Sequence, residues 1–447
     1  MTQTETAPNE KSDIDLEKYY RAIEMADSVK VIGKVIQVVG LILEAQVQGV
    51  SIGDLCIINI DKGKATTYAE VVGFKEGRVL LMPLGTTAGI SPGSEVLAAG
   101  HPLKVKVGPA VLGRVLNGLG DPIDDKGPLI SDHERSLDAD PPDPVKRPRV
   151  TEILRVGVRA IDGLLTIGRG QRMGIFAGSG VGKSTLMGMI ARNAEADVNV
   201  IALIGERGRE VRDFIEESLG EEGLQKSVVV VATSDQPPLI RLKASFVATA
   251  IAEYFRDQGM KVIFMMDSTT RFAYAQRDVG LASGEPPTTR GYTPSVFAML
   301  PKLMERSGTS EKGSITAFYT ILVEGDDFNE PIADQSRSIL DGHIILSRAL
   351  AAKNHYPSID ILPSVSRIMS NLVSDEHKEA AGKLREVLAR YSEAEDLINI
   401  GAYVKGSNPK IDEAIAKIDA VNDFLKQGTY EKVSFEDMLD QLMSIFY

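Results

Sequence analysis

The sequence predicts an α/β protein in three parts: a small N-terminal β-barrel, a central parallel sheet with helices on both faces, and a C-terminal helical domain. Positions 29–99 contain short apolar runs separated by turn residues, which is the pattern of a small all-β barrel. Strand-like and helical runs alternate from about residue 151, as they do in a parallel sheet crossed by helices. From about Ser374 the pattern is helical to the end of the sequence.

The composition is that of an acidic globular protein. The chain has 447 residues, enough for two or three domains, and a net charge of −12. Because a protein that coats nucleic acid is expected to be basic, we expect no nucleic-acid partner. The single cysteine, Cys56, lies in an apolar run and is expected to be buried. The sequence has no run of 18 apolar residues and no secretory signal, so we expect no membrane span.

The N-terminal segment, residues 1–27, is expected to hold a polar tail and a short amphipathic helix. Leu16, Tyr19, Tyr20 and Ile23 recur at helical spacing. This helix either packs on its own domain or docks a partner, and both interpretations stay open. Its polar face carries both signs of charge, which favours a protein partner over an anionic membrane.

We expect the barrel over residues 28–100 and a connector over residues 101–150. The connector contains a turn-forming stretch at 117–122 and a proline-rich stretch at 141–148 that indicates an extended linker. The predicted barrel strands are Val29–Ile36, Leu41–Val47, Leu55–Ile60, Thr67–Val72 and Val79–Met82.

Two further domains are expected, over residues 151–373 and residues 374–447. The first holds the parallel sheet, with predicted strands Arg172–Phe176, Val198–Ile204, Ser227–Val231, Lys261–Met266 and Ser314–Leu322. The second is helical, with periodic stretches at Glu376–Leu397, Lys410–Lys426 and Ser434–Met443.

A glycine-rich loop follows the first strand of the predicted sheet and precedes an apolar helical run. The loop consists of Gly178, Ser179, Gly180, Val181, Gly182, Lys183, Ser184 and Thr185. A loop of this kind cradles phosphates, because glycines let backbone N–H groups turn inward toward an anion. We expect Lys183 to reach the β- and γ-phosphates and Ser184 to offer its hydroxyl to magnesium. Ala177 replaces the usual first glycine of the consensus and is the smallest possible substitute.

Two acidic residues are candidates for the remaining chemistry of a nucleotide hydrolase. Asp267 ends an apolar strand and is expected to lie beside the loop as a magnesium ligand. Taken alone, Asp267 is equally well explained as a helix cap, since Ser268 and Thr269 follow it. Glu206 follows another predicted strand and could accept a hydrogen bond from the attacking water. A solvated acid at the end of a strand fits the same spacing.

Eight motifs follow one another along the chain: Gly178–Thr185, Gly205–Val211, Asp267–Arg271, Gly284–Pro287, Tyr292–Phe297, Asp341–Arg348, His355–Asp360 and Ser364–Arg367. Together they resemble the hexameric ATPase family that includes the rotary ATP synthase head subunits and the type III secretion ATPases. The resemblance covers nearly the whole chain from about residue 28, and it implies a RecA-like P-loop NTPase core. Within the family, residues 176–183 are most similar to the flagellar protein-export ATPases, in which Ala177 is no anomaly.

The resemblance implies roles for residues whose chemistry the spacing leaves open. Glu206 matches the catalytic glutamate that polarises water, and Arg207 beside it is expected to support that position. Arg367 matches the arginine finger that reaches the γ-phosphate of a neighbouring subunit. Tyr356 matches the aromatic residue that stacks on adenine. Without the resemblance, Tyr356 would be interpreted as a core residue and Arg367 as a salt-bridge partner.

The resemblance also implies an activity and a set of partners. The expected protein is a homohexameric ATP hydrolase that uses Mg²⁺ and energises flagellar protein export. The implied partners are further copies of this chain, a stator or regulator at the N-terminal helix, the export gate at the membrane, and export substrates with their chaperones. The implied location is the cytoplasm, peripheral to the inner membrane at the export apparatus. Because one chain carries both Glu206 and Arg367, every interface of a homo-oligomeric ring could form an active site.

Other functions remain open at the level of sequence. An injectisome secretion ATPase and the catalytic subunit of a divergent rotary synthase would use the same chemistry. A non-catalytic nucleotide-binding subunit would lack the glutamate, so Glu206 argues against it. An RNA-translocating ring would need an aromatic and basic N-terminal RNA-binding fold, whereas the barrel segment of this chain has only Tyr68 and Phe74 as aromatic residues, and they are not clustered.

Overall fold

The structure is a computed structural model that describes Tyr20 and residues 32–60, 65–323, 325 and 327–447. Apart from Tyr20, the predicted N-terminal helix lies outside the described residues, and so does the beginning of the first predicted strand. Within the described ranges, no helix is long and apolar enough to cross a membrane.

The predicted N-terminal barrel is present, and it is closed by six antiparallel strands, one more than the five predicted. They are hydrogen-bonded in the order β1-β2-β5-β4-β3-β6, and β6 pairs back with β1. Cys56 is fully buried in the barrel core, and this burial raises the pKa of its thiol to about 11. The strands are β1 (Ile32–Val39), β2 (Ile42–Gln46), β3 (Asp54–Ile60), β4 (Ala65–Lys75), β5 (Arg78–Pro83) and β6 (Glu95–Pro102).

The central sheet contains nine strands in the order β19-β18-β12-β17-β15-β13-β14-β8, with β16 pairing at the side of β17. Neighbours along this path are parallel except for β18 and β19, which confirms the predicted α/β class. The strands after the barrel are β7 (Lys104–Val107), β8 (Val115–Asn117), β9 (His133–Ser136), β10 (Ile153–Leu154), β11 (Ile167–Gly168), β12 (Arg172–Ala177), β13 (Val198–Ile204), β14 (Ser227–Ala232), β15 (Lys261–Asp267), β16 (Gly308–Thr309), β17 (Ser314–Leu322), β18 (Gly342–Leu346) and β19 (Ile359–Ser366).

Helices cover both faces of the sheet. Alternate residues of β13 point into two separate cores, Val200 and Ala202 into one and Ile201 and Leu203 into the other. The second core also receives the phosphate-loop helix α2 and the C-terminal helices α11, α12 and α13. The helices are α1 (Arg159–Leu164), α2 (Lys183–Asn193), α3 (Gly208–Asp213), α4 (Gly220–Gln225), α5 (Pro238–Asp257), α6 (Thr269–Ala282), α7 (Pro294–Met304), α8 (Pro331–Ile339), α9 (Arg348–Ala352), α10 (Met369–Leu372), α11 (Asp375–Asn399), α12 (Pro409–Leu425) and α13 (Phe435–Ser444).

The stretch expected to be a connector, residues 101–150, contributes structure of its own. Its strand β8 extends the central sheet by pairing in parallel with β14, and β7 pairs with β9. A strand of three residues is too short to leave a periodic pattern in the sequence. The second half of this stretch, which includes the proline-rich run, has no regular strand or helix after β9.

A fully buried ion pair links this stretch to helices α5 and α7. Arg306 donates from Nε and Nη2 to both carboxylate oxygens of Glu253 at 2.8 and 2.7 Å, and both side chains are 1% exposed. Arg306 also donates from Nη1 to the carbonyl oxygen of Leu137 at 2.7 Å. The guanidinium therefore joins α5, the end of α7 and the segment after β9.

Glu253→Gln is expected to lower the free energy of unfolding by about 3–5 kcal/mol, because it leaves a buried guanidinium without its counter-charge. Urea unfolding followed by circular dichroism measures this loss. The matched control is Asp138→Asn, which breaks an exposed pair with Lys302 (3.0 Å) and should cost less than about 1 kcal/mol. Equal losses for the two variants would contradict the structural role given to the buried pair.

Candidate active site

The phosphate loop lies between β12 and α2, at the carboxyl edge of the sheet. Gly180 and Gly182 have φ angles of +76° and +86°, a left-handed conformation that favours glycine. Nothing lies within 4 Å of a Cβ added at Gly180, so backbone conformation rather than crowding requires glycine there. The hydroxyl of Ser358 donates to the carbonyl oxygen of Val181 at 2.6 Å and fixes the middle of the loop. Helix α2 begins at Lys183 and carries Ser184 and Thr185 in its first turn.

Lys183 lies between two carboxyl groups. Its ammonium is hydrogen-bonded to Oδ1 of Asp267 and stands 3.7 Å from Oε1 of Glu206. Asp267 is the last residue of β15, and Glu206 follows β13, the next strand of the sheet. Because parallel strands end at the same edge, their carboxyl ends bring the two acids to one place. The structure thus brings three of the predicted residues together at the loop.

The cluster raises the pKa of the lysine and also raises the pKa of one of the two acids. Burial alone would lower the pKa of Lys183, but Asp267 and Glu206 outweigh it and raise that pKa. Burial and the charge of Asp267 raise the pKa of Glu206 to about 7, against the opposing effect of Lys183. Thr320 in β17 donates to Oδ1 of Asp267 at 2.8 Å.

Glu206 is hydrogen-bonded to Glu210 in the first turn of α3. Burial would raise the pKa of Glu210, but the hydrogen bonds from Glu206 and Arg207 lower it. Since the pKa of Glu206 is raised and that of Glu210 is lowered, Glu206 carries the proton that the two acids share. The side chain of Arg207 is 81% exposed and pairs with Oε1 of Glu210 at 2.9 Å.

Tyr356 lies against the end of the phosphate loop. A Cβ added at Gly182 would stand 3.5 Å from Cδ1 and Cε1 of the tyrosine ring, which is 42% exposed. The carbonyl oxygen of Tyr356 accepts a hydrogen bond from the backbone N–H of Gln427 at 2.9 Å, just after α12. The ring therefore stands where the loop meets the C-terminal helices, and it is not a core residue.

Arg367 lies at the amino-terminal end of the parallel strands, whereas the phosphate loop of its own chain lies at their carboxyl end. Strands β12 and β18 are parallel and end together at the loop, whereas the antiparallel β19 runs back and ends level with the start of β18. Four residues of strand, about 13 Å, separate the two levels. The side chain is exposed, and its Nη2 donates to the carbonyl oxygen of Arg337 at 3.0 Å. Within one chain, Arg367 and the Lys183 cluster are therefore not brought together.

Two further residues at the site received no role from the sequence: Thr320 contacts the cluster itself, and Arg271 contacts Gly205, the residue before Glu206. Thr320, the hydrogen-bond donor to Asp267, lies inside a long apolar strand and carries no sequence signal. Arg271 belongs to a family motif but received no role. Its stem packs on Gly205, where an added Cβ would lie 2.9 Å from Cβ of Arg271. Among the described residues, its buried Nε has no hydrogen-bond partner.

The fold and the site together define a class of protein. A glycine-rich loop joins a parallel strand to a helix, a lysine ends the loop, and two acids end neighbouring strands. This arrangement is that of a P-loop nucleotide-binding protein.

Comparisons with known proteins identify the family. The model of the ATP synthase alpha/beta family nucleotide-binding domain matches residues 157–366, and that of its beta-barrel domain matches residues 35–100. The model of the T3SS EscN ATPase C-terminal domain matches residues 373–444. The chain belongs to the ATP synthase alpha/beta family, and within it to the group of flagellar and type III secretion ATPases.

Individual relatives agree with this assignment. The chain is 59% identical to the flagellum-specific ATP synthase of Bacillus subtilis, over 95% of this chain and 97% of the relative. It is 55% identical to the type 3 secretion system ATPase of Xanthomonas euvesicatoria, over 92% and 93% of the two chains. The assembled ATPase EscN of enteropathogenic E. coli superposes with a TM-score of 0.88 at 49% identity, over 92% of this chain and 99% of EscN. EscN has also been solved in complex with its central stalk EscO. The predicted family and fold class are confirmed.

Proposed function

We propose that the protein hydrolyses Mg-ATP to energise flagellar protein export, acting as a homo-oligomeric ring. The observation that carries the hydrolase proposal is the cluster of Lys183, Asp267 and Glu206 at the phosphate loop. The relatives that match almost the whole chain are flagellum-specific and type III secretion ATPases, which supports the proposed process. Export substrates would be unfolded or released from chaperones by the work of the ring.

The phosphate loop, residues 178–185, would hold the nucleotide. Its left-handed glycines leave backbone N–H groups available to the phosphates, and Lys183 would reach the β- and γ-phosphates. The hydroxyl of Ser184 and the carboxylate of Asp267 are oxygen ligands suited to Mg²⁺. When bound, Mg²⁺ would neutralise charge on the phosphates. Tyr356, exposed beside Gly182, would stack on the adenine ring.

Glu206 would accept the proton of the attacking water. It would do so in its ionised form, whose share increases as the pH rises through about 7, the pKa of Glu206. Arg207 would support Glu206 indirectly, because its guanidinium holds Glu210 at 2.9 Å.

Arg367 would complete the active site of the neighbouring subunit. Its position at the far edge of the sheet prevents it from reaching the phosphate loop of its own chain, while its exposure leaves it available to another. Copies arranged head to tail would close into a ring in which each interface pairs one Lys183 cluster with one Arg367. The family implies six copies, and the related EscN has been solved as an assembly.

The ring would act in the cytoplasm, peripheral to the inner membrane, where the export gate, substrates and chaperones would meet it. A protein related to the central stalk EscO is a further expected partner. We place a stator or regulator on the N-terminal helix that the sequence predicts. Deleting residues 1–26 should weaken binding of that regulator or self-association, measured by analytical ultracentrifugation, and leave the affinity for a fluorescent ADP unchanged. Loss of nucleotide affinity would refute this division of roles.

The second candidate is a type III secretion ATPase of an injectisome, favoured by the 55% identity to the Xanthomonas euvesicatoria protein. A divergent synthase subunit is less well supported, because the model of the secretion ATPases matches the C-terminal region.

Phosphate release from ATP by the purified full-length protein tests the proposed hydrolase. We expect hydrolysis that stops when EDTA removes Mg²⁺ and that Lys183→Ala abolishes. Hydrolysis that is unchanged in Lys183→Ala would refute the proposal. Export of flagellar hook protein by a strain in which this chain replaces the resident ATPase separates the flagellar from the injectisome candidate.

A further inference from the structure

Arg348 emerges from the sheet beside the phosphate loop. Strand β18 runs parallel to β12, and Leu346 is paired in register with Ala177, the residue before the loop. The residues that follow these two strands therefore leave the same edge of the sheet side by side. Arg348, the first residue of α9, thus lies next to Gly178, the first residue of the loop.

The guanidinium of Arg348 rests on Gly178. A Cβ added to this glycine would stand 2.6 Å from both Nε and Nη2 and 3.0 Å from Cζ, so a side chain at position 178 would displace the guanidinium from this position. The φ angle of Gly178 is not in the left-handed region. The backbone conformation does not require glycine here, and the missing Cβ lets the arginine lie directly on the loop. Arg348 is an exposed residue.

The other two cations assigned to the active site, Lys183 and Arg367, lie away from the Gly178 end of the loop. Lys183, at the far end of the loop, already faces the carboxyl groups of Asp267 and Glu206. Arg367 of the same chain lies at the other edge of the sheet. The phosphates of a nucleotide bring several negative charges to this loop, and a guanidinium is always protonated and offers a planar pair of N–H donors that matches phosphate.

We propose that Arg348 is a second cation for the phosphates of the nucleotide bound in its own chain, at the opposite end of the loop from Lys183. The inference rests on the proposed nucleotide-binding function. Arg348 acts in binding the nucleotide before reaction, whereas Arg367 acts across the interface on the reaction itself. Loss of Arg348 therefore raises KM and the dissociation constant of ADP and leaves kcat nearly unchanged.

Titration of the full-length protein with the fluorescent nucleotide mant-ADP, together with steady-state hydrolysis of Mg-ATP, tests this inference. Arg348→Met keeps most of the bulk and removes the charge, and should weaken mant-ADP binding about 10- to 100-fold, the effect of one charge-assisted hydrogen bond. Arg348→Lys restores a charge and should recover part of the affinity. Thermal unfolding midpoints equal to the wild type's show that each variant is folded.

Lys353→Met is the matched control. It removes an exposed cation five residues further along, whose ammonium pairs with Glu395 at 2.8 Å and not with the loop. It should change mant-ADP affinity less than about twofold. Wild-type affinity in Arg348→Met, or equal losses in the methionine and lysine variants at position 348, would overturn the inference. If the wild type binds mant-ADP but hydrolyses no ATP, the proposed function fails, and the binding comparison still decides the role of Arg348.

Discussion

Replacement of Glu206 by glutamine is expected to slow Mg-ATP hydrolysis by about 10²–10⁴-fold, the usual contribution of a positioned general base. The amide keeps the size of the side chain but cannot accept a proton from water. Affinity for mant-ADP should stay within a few-fold of the wild type, because Lys183 remains held by Asp267. Phosphate release under single-turnover conditions measures the chemical step directly.

The matched control for this variant is Glu216→Gln, which neutralises an exposed acid on the same stretch of chain, paired with Arg212 at 2.7 Å. It should hydrolyse ATP at the wild-type rate. Full activity in Glu206→Gln would remove this residue from the mechanism.

In the wild type, kcat/KM should fall as the pH is lowered through about 7, because the pKa of Glu206 is raised to about 7 and only the ionised carboxylate can act as a base.

Arg367→Ala is expected to lower the hydrolysis rate by about 10³–10⁵-fold, the effect of an arginine finger supplied in trans. Within each chain the substitution leaves the phosphate loop and the Lys183 cluster untouched, so nucleotide binding should persist. The control is Arg337→Ala, since the side chain of Arg337 pairs with Asp334 at 3.1 Å and only its backbone carbonyl contacts Arg367. Wild-type activity in Arg367→Ala would show that the finger assignment is wrong.

A related expectation concerns assembly. If each active site is shared between two subunits, the specific activity of the wild type should rise with protein concentration as the ring forms. An activity strictly proportional to concentration, in a sample that sedimentation shows to be monomeric, would contradict the shared site.

Much of the fold could be predicted because long buried strands and amphipathic helices leave periodic patterns. The predicted strands of the central sheet from β12 to β15, together with β17, end within one residue of the observed ones. Strand β8 was not predicted because three residues carry no period, and β18 and β19 entered only as family motifs. These last two strands place Arg348 and Arg367 at opposite edges of the sheet, which no local pattern could reveal.

The residues of the site also divide into those that a local sequence pattern predicts and those that depend on the tertiary fold. The phosphate loop, Asp267 and Glu206 follow from residue chemistry at strand ends, and the structure brings Lys183 together with both acids. Only the resemblance suggested Tyr356 and Arg367. The position of Tyr356 beside the loop, and the exposure of both residues, depend on the tertiary fold and leave no pattern in the sequence. The contacts of Thr320, Arg271 and Arg348 join residues that lie 53 or more positions apart in the chain, and no motif spacing encodes them.

The most direct test of the central claim, that each active site is shared between two copies of this chain, is hydrolysis by an equimolar mixture of Glu206→Gln and Arg367→Ala. Each variant alone should be nearly inactive. In randomly mixed rings, about a quarter of the interfaces should join an intact Glu206 to an intact Arg367, so the mixture should recover about a quarter of the wild-type rate. A mixture no more active than its components, in rings shown to exchange subunits, would contradict the shared site.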